Sequence, residues 1–264
     1  MLLRVKELLA QLKFGGMAQT LEEILARAQA DGSPVEAVLM RLLTEEYRYR
    51  QEKALAYRIK QARLPWEWTL ESFPFADQPG VNQSQIRSLA GLDFLQRGTN
   101  LVFIGPPGVG KSGLAIALTR KALLAGYRAR FTNAQDLLDE LYASLADRTT
   151  PRLLRRLAAY DLLLIDELGY LSLKPEQTNA FFKLMELRYN RKTTVITTNL
   201  AYSDWYELFQ RKPLVDALLD RLRHRCITIE IDGPSLRAPE AALPSKPKPS
   251  KGSQRTKRKK GGQR

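Results

Sequence analysis

The residues best placed to do chemistry lie in "FIGPPGVGKSG", Phe103 to Gly113. Within it "GPPGVGKS" (105–112) satisfies G-x-x-x-x-G-K-[ST] at every specified position. It also falls between a strand-like apolar run and a helical pattern, the context the motif requires. Its chemistry is phosphate binding. Gly105, Gly108 and Gly110 let backbone N–H groups turn inward around an anion, and Pro106, Pro107, Val109 and Gly113 complete the loop. The helix that follows adds the positive partial charge of its N-terminus. Lys111 is spaced to reach the β- and γ-phosphates of ATP, and Ser112 to offer a hydroxyl to Mg²⁺.

"LLLIDE" (162–167) supplies the other half of such a site. An apolar run forms a buried strand, and Asp166 emerges at its carboxyl end, where ligands bind in open α/β sheets. Asp166 suits the Mg²⁺ shell, and Glu167 suits orienting and activating a water on the γ-phosphate. A base in that place argues for ATP hydrolysis and against a small-molecule kinase. Asn199, closing "TVITTN", stands where an amide could bond the γ-phosphate or the lytic water. "DALLDRLRHRC" carries Arg221, Arg223 and Arg225. An arginine reaching a neighbouring subunit's phosphate makes hydrolysis depend on assembly. Of the three, Arg225 reads as solvated surface.

The elements that must position these residues follow from periodicity. Short apolar runs at 101–104, 128–131, 161–166, 194–199 and 226–231 alternate with helices starting near Lys111, Asn133, Pro175, Asp204 and Pro213. Such alternation predicts a five-stranded parallel sheet covered by helices, over residues 69–234. Residues 1–68 read as a small all-helical domain. There "DGSPVEAVLMRLL" predicts a helix start with Ser33 as cap, Pro34 in the first helical position and Glu36 closing a capping box. "LPWEWTLESFPFADQPG" marks the boundary between the two domains.

Composition sets further bounds. The formal net charge is +14, and residues 235–264 hold ten Lys or Arg against one Glu. That leaves 32 basic and 27 acidic residues before the tail. The excess points to a polyanionic partner, nucleic acid first. The tail has too little apolar surface to offset its ordering entropy, so a disordered basic segment is expected. No apolar run reaches the roughly 18 to 20 residues of a membrane span. The charged N-terminus lacks the features of a secretory signal. A single cysteine, Cys226, fits core packing in a reducing cytosol, so a cytoplasmic location is expected.

"GPPGVGKS", "LLLIDELGYL", "TTVITTNL" and "DALLDRLRHR", in this order and spacing, resemble the IstB-like ATPases, helpers of bacterial transposons within the AAA+ superfamily. The resemblance spans roughly residues 1–235. It implies a Walker A loop at Gly105 to Ser112, a Walker B pair at Asp166 and Glu167, sensor 1 at Asn199, an arginine finger at Arg221 and sensor 2 at Arg237. It also implies that the 101–104 strand is central, with Lys111 and Asp166 on neighbouring strands. "TLESFPF" resembles the segment that walls the adenine, which would put Phe73 or Phe75 near the base; anchoring the linker is the alternative role. The implied function is an ATP-dependent helper that forms a homo-oligomer on double-stranded DNA without sequence preference and assists a transposase. A DnaC-like replicative helicase loader is the alternative.

The segment 133–160 is longer than a minimal crossover and reads as two helices broken at Thr149-Thr150-Pro151. In the initiator and loader branch of the superfamily that the chain resembles, an extra helix here lines the centre of the assembled ring or spiral. Arg148, Arg152, Arg155 and Arg156 would then contact phosphates, or else form a solvated face.

Overall fold

The computed structural model describes residues 1–169, 171, 173–209 and 212–237. The tail expected to be disordered thus lies, from residue 238 onward, outside the described residues. Five strands form one parallel sheet: β1 (Asn100–Ile104), β2 (Ala129–Asn133), β3 (Leu162–Asp166), β4 (Thr193–Thr198) and β5 (Cys226–Glu230). Their order is β2-β3-β4-β1-β5. The five apolar runs are thus the five strands, each within two residues of its expected bounds. One expectation fails. β1 is flanked by β4 and β5, so β4 separates it from β3, and Lys111 and Asp166 do not follow neighbouring strands.

Side chains alternate across a strand, so an apolar strand feeds two cores. On one face Leu101, Phe103, Leu164 and Val195 pack with Leu114 and Leu118 of α6 (Lys111–Leu124). On the other, Val102, Leu163, Ile165 and Ile196 meet Phe181 of α9 (Pro175–Arg188) and Trp205 and Phe209 of α10 (Trp205–Phe209). The 133–160 segment is two helices, α7 (Ala134–Ala146) and α8 (Thr150–Ala158), broken where the proline stands. α11 (Lys212–His224) leads into β5. Two short helices before β1, α4 (Gln83–Leu89) and α5 (Asp93–Gln96), were not expected from periodicity.

The chain begins with α1 (Leu2–Gln11), α2 (Gly15–Asp31) and α3 (Val35–Ala62). Met17 and Leu21 of α2 pack on Leu42 of α3. The start of α2 is fixed by a carboxylate from α3: buried Glu46 accepts the Gly16 N–H at 2.7 Å and the Met17 N–H at 3.2 Å, and Arg50 Nε donates to it at 2.6 Å. These bonds satisfy N–H groups that a helix start leaves unpaired. The expected capping box at Ser33 does not form. Pro34 itself occupies the cap position, and the Ser33 hydroxyl turns back to donate to Asp31 Oδ1 at 2.6 Å. At its far end α3 enters the core of the sheet through Ala62, with Ile59 packed beside it. The long helix therefore joins the helical hairpin to the sheet.

Candidate nucleotide site

The glycine loop leaves the carboxyl end of β1 and turns into α6. Gly108 and Gly110 have φ of 86° and 95°, a region other residues enter only with strain. A Cβ on Gly110 would also lie 2.7 Å from the Phe73 ring. Phe73 therefore presses on the loop from its buried side. It is 4% exposed and meets Phe75 edge-on at 4.8 Å. The aromatic rings on the cleft wall are instead Trp66 and Trp68, which nothing in the sequence marks beyond their place in the domain boundary.

Lys111, at the first turn of α6, donates from Nζ to the carbonyls of Gly105 at 2.8 Å and Pro106 at 2.7 Å. Burial holds its ammonium below the usual lysine range, against the pull of Asp166, and the charge of Arg237 acts in the same direction as burial. Asp166, at the carboxyl end of β3, is 3% exposed. Burial raises its carboxyl above the ordinary value, while hydrogen bonds from Thr197 and Ser112 hold it down. Both hydroxyls donate to the same oxygen, Asp166 Oδ1, at 2.5 Å from Thr197 and 2.7 Å from Ser112. β4 supplies Thr197 from between β1 and β3, so the intervening strand links the loop to the acid.

Thr197 does more. Its Oγ1 accepts the Glu167 N–H at 2.9 Å, and Glu167 has a φ of 59°. The backbone kinks as it leaves β3, and the Glu167 side chain stands exposed at the cleft. There Asn133 Nδ2, at the end of β2, donates to Glu167 Oε2 at 3.0 Å. The Asn133 Oδ1 meanwhile accepts the Gln135 N–H at 2.9 Å as the cap of α7. One amide caps a helix and holds the acid.

Lys111, Ser112, Glu167, Thr197, Asn199 and Arg237 line one cleft of about 930 Å³. Its rim is closed by the chain after β5. The Leu236 N–H donates to Gly108 O at 2.9 Å, and the Arg237 N–H to Ser235 Oγ at 3.2 Å. Gln78, 1% exposed, bridges the two segments: its Nε2 donates to Val109 O at 3.2 Å and to Pro234 O at 2.8 Å. Arg221 is not part of this cleft. It shares a crevice with Asn100 and Arg188 at the amino end of β1, the end opposite the glycine loop. Arg152, Arg155 and Arg156 lie on the exposed face of α8, opposite Leu153, Leu154 and Leu157, with Arg148 just before the helix. Arg156 is paired with Glu140 at 2.5 Å.

A glycine loop, an acid pair and an amide meet at the carboxyl edge of a sheet ordered β2-β3-β4-β1-β5, and the family match identifies the chain as an ATPase with the AAA+ fold. Residues 7–242 match the family model of the IstB-like ATP binding protein. The chain belongs to that family. It is 38% identical over 233 residues to the insertion sequence IS21 ATP-binding protein of Pseudomonas aeruginosa, covering 88% of each chain. To the insertion sequence IS5376 ATP-binding protein of Geobacillus stearothermophilus it is 32% identical, over 91% of this chain and 96% of the relative. Among solved structures, the DnaC helicase loader superposes with a TM-score of 0.50 at 24% identity, covering 64% of this chain and 96% of the loader. AMPPCP-bound DnaA from Aquifex aeolicus gives 0.52 at 22%, over 64% of this chain and 51% of DnaA. These two likenesses are of fold. Among the described residues no helix is long and apolar enough to cross a membrane.

Proposed function

We propose that this ATPase is the helper of an insertion sequence: it assembles with further copies of itself on duplex DNA and assists the element's transposase. The observation that supports this best is a loop-and-acid site in a chain matching insertion-sequence ATP-binding proteins along nearly nine-tenths of its length. The helicase-loader likeness is one of fold and extends over less of the chain.

In this reading Lys111 exchanges its two loop carbonyls for β- and γ-phosphate oxygens. The Ser112 hydroxyl and Asp166 carboxylate, already in contact, are the hard oxygen donors that suit Mg²⁺, which would neutralise charge on the phosphates. Glu167 takes the proton of the attacking water, and Asn199 orients that water. Phe73 and Phe75 brace the loop on the adenine side. Arg237 contributes charge in the same subunit. Arg221, facing away from its own cleft, serves the cleft of a neighbour. Arg148, Arg152, Arg155 and Arg156 contact DNA phosphates, and the N-terminal helices meet the transposase.

The test measures ATP hydrolysis with and without a long duplex. Hydrolysis should rise with DNA, and Lys111→Ala or Arg221→Ala should each abolish the rise. Mixing the two variants should restore part of it, because one supplies the arginine and the other the bound nucleotide. A protein that stays monomeric and hydrolyses ATP at one rate regardless of DNA overturns the reading.

A further inference from the structure

A second concave site lies away from the nucleotide cleft, where α3 meets the start of β2 and the end of α8. It encloses about 490 Å³ and is lined by Tyr57, Arg58, Arg128, Arg156 and Tyr160, among others. Two of the guanidinium groups are held by backbone and not by acids. Arg58 Nε donates to Leu123 O at 3.3 Å, and Arg128 Nη2 to Ala159 O at 2.6 Å. Each bond fixes the fork and leaves further N–H donors for a ligand. Arg130 on β2 and Arg63 after α3 add positive charge. The Arg130 guanidinium is held below its ordinary value by burial first, then by Arg63 and Arg156.

Two acids stand against this group, and both are engaged. Glu140 accepts Arg156 at 2.5 Å. Asp161 pairs with Lys192 at 2.5 Å and accepts the main-chain N–H of Arg128 at 2.9 Å. Like charges gathered in a concavity, with too few carboxylates among them, raise the free energy of the folded chain unless an anion joins them. Guanidinium forks match phosphate oxygens in geometry as well as charge. The exposed ring of Tyr57 and the half-buried ring of Tyr160 are flat, amphipathic walls suited to sugar and base edges.

We propose that this arginine-lined cavity between α3, β2 and α8 binds phosphodiester oxygens of duplex DNA. It rests on the reading that the chain works on DNA, and it adds a binding surface beyond the α8 arginines. Arg156 is common to both, so DNA lying along α8 continues onto α3. Because α3 also carries the N-terminal hairpin, DNA at this site bears directly on the helix that joins the chain's two parts.

The experiment measures affinity for a fluorescent random-sequence duplex as a function of KCl, for the full chain and for Arg58→Gln/Arg128→Gln. Removing one arginine from a phosphate should flatten the log–log salt slope by about 0.9, so the double variant should flatten it by about twice that and weaken binding at low salt. ATP hydrolysis without DNA should be unchanged, since neither residue lines the nucleotide cleft. If the double variant melts early because Ala159 O loses its donor, Arg58→Gln alone is read, with half the flattening expected. A double variant that keeps the parent's slope and affinity overturns the proposal. So does one that keeps its DNA affinity but no longer binds the transposase, which would assign the cavity to an acidic protein surface. A parent chain with no DNA affinity at all would instead overturn the function proposed above.

Discussion

Replacing Thr197 with valine removes one hydroxyl and keeps the shape of a fully buried side chain. That hydroxyl donates to Asp166 Oδ1 at 2.5 Å and accepts the Glu167 N–H at 2.9 Å. A bond to a charged group is worth about 1.5–3 kcal/mol, and a buried N–H left without a partner costs about 1–3 kcal/mol. The expected loss of stability near neutral pH is therefore about 2.5–6 kcal/mol. The same change acts on protonation. Burial already raises the Asp166 carboxyl above 3.8, and the Thr197 bond restrains it. Losing that bond removes a restraint on the charged form and raises it further.

The sign of the linkage follows. In the folded protein Asp166 holds its proton more tightly than in the unfolded chain, so its contribution to stability falls as pH rises from 3.8 through the folded value. In Thr197→Val that window extends upward, and the gap between parent and variant should narrow in acid. The assays are urea unfolding at neutral and acid pH and the pH profile of kcat/KM for ATP. The acid limb should move to higher pH, and Thr197→Ser should restore it. An unmoved limb together with parental stability would refute the view that β4 tunes the acid of β3.

Other outcomes follow from the same cleft. Asn133→Ala removes the amide that holds Glu167 Oε2, so ATP hydrolysis without DNA should rise severalfold, and a steady-state assay of the DNA-free rate reads it. Because Asn133 also caps α7, the variant should lose about 1 kcal/mol of stability, and Asn133→Asp should keep the cap without the N–H donor. Gln78→Met takes away both donors of Nε2 while filling the same space; KM for ATP should rise about tenfold with kcat little changed, since about 1.4 kcal/mol is lost from ground-state binding. A parental KM would mean that the bridge does not set the loop.

The placement of the glycine loop was legible because it is local. Eight consecutive residues mark the turn from β1 into α6, and Asp166 and Glu167 are adjacent at the end of β3, so spacing alone located them at one edge of the sheet. What the sequence did not reveal depends on pairing between distant segments. The insertion of β4 between β1 and β3 is set by packing across the whole sheet, and no local pattern encodes it. Thr197 lies inside a strand-like run where nothing singles it out, and only the register of β3 on β4 turns its hydroxyl toward Asp166. A helix start was expected near Asn133, and Asn133 caps that helix, but the second half of its amide meets an acid 34 residues on. Gln78 lay in a proline-rich boundary with no periodicity to mark it. Ser33 is the opposite case: the local signal was present, and Asp31 two residues earlier captured the hydroxyl.

Fastenings along the chain after β5 come in a definite sequence. Moving inward from Arg237, the first is the Leu236 amide on Gly108, the next is Gln78 on Pro234, and only then comes the Ile231 amide on Ile104 at 2.8 Å, against β1 itself. The polypeptide continues past Arg237 to Arg264. Traction on that extension would unlatch the glycine loop before it unravelled a strand, so a mechanical load would be felt first at the cleft beside that loop.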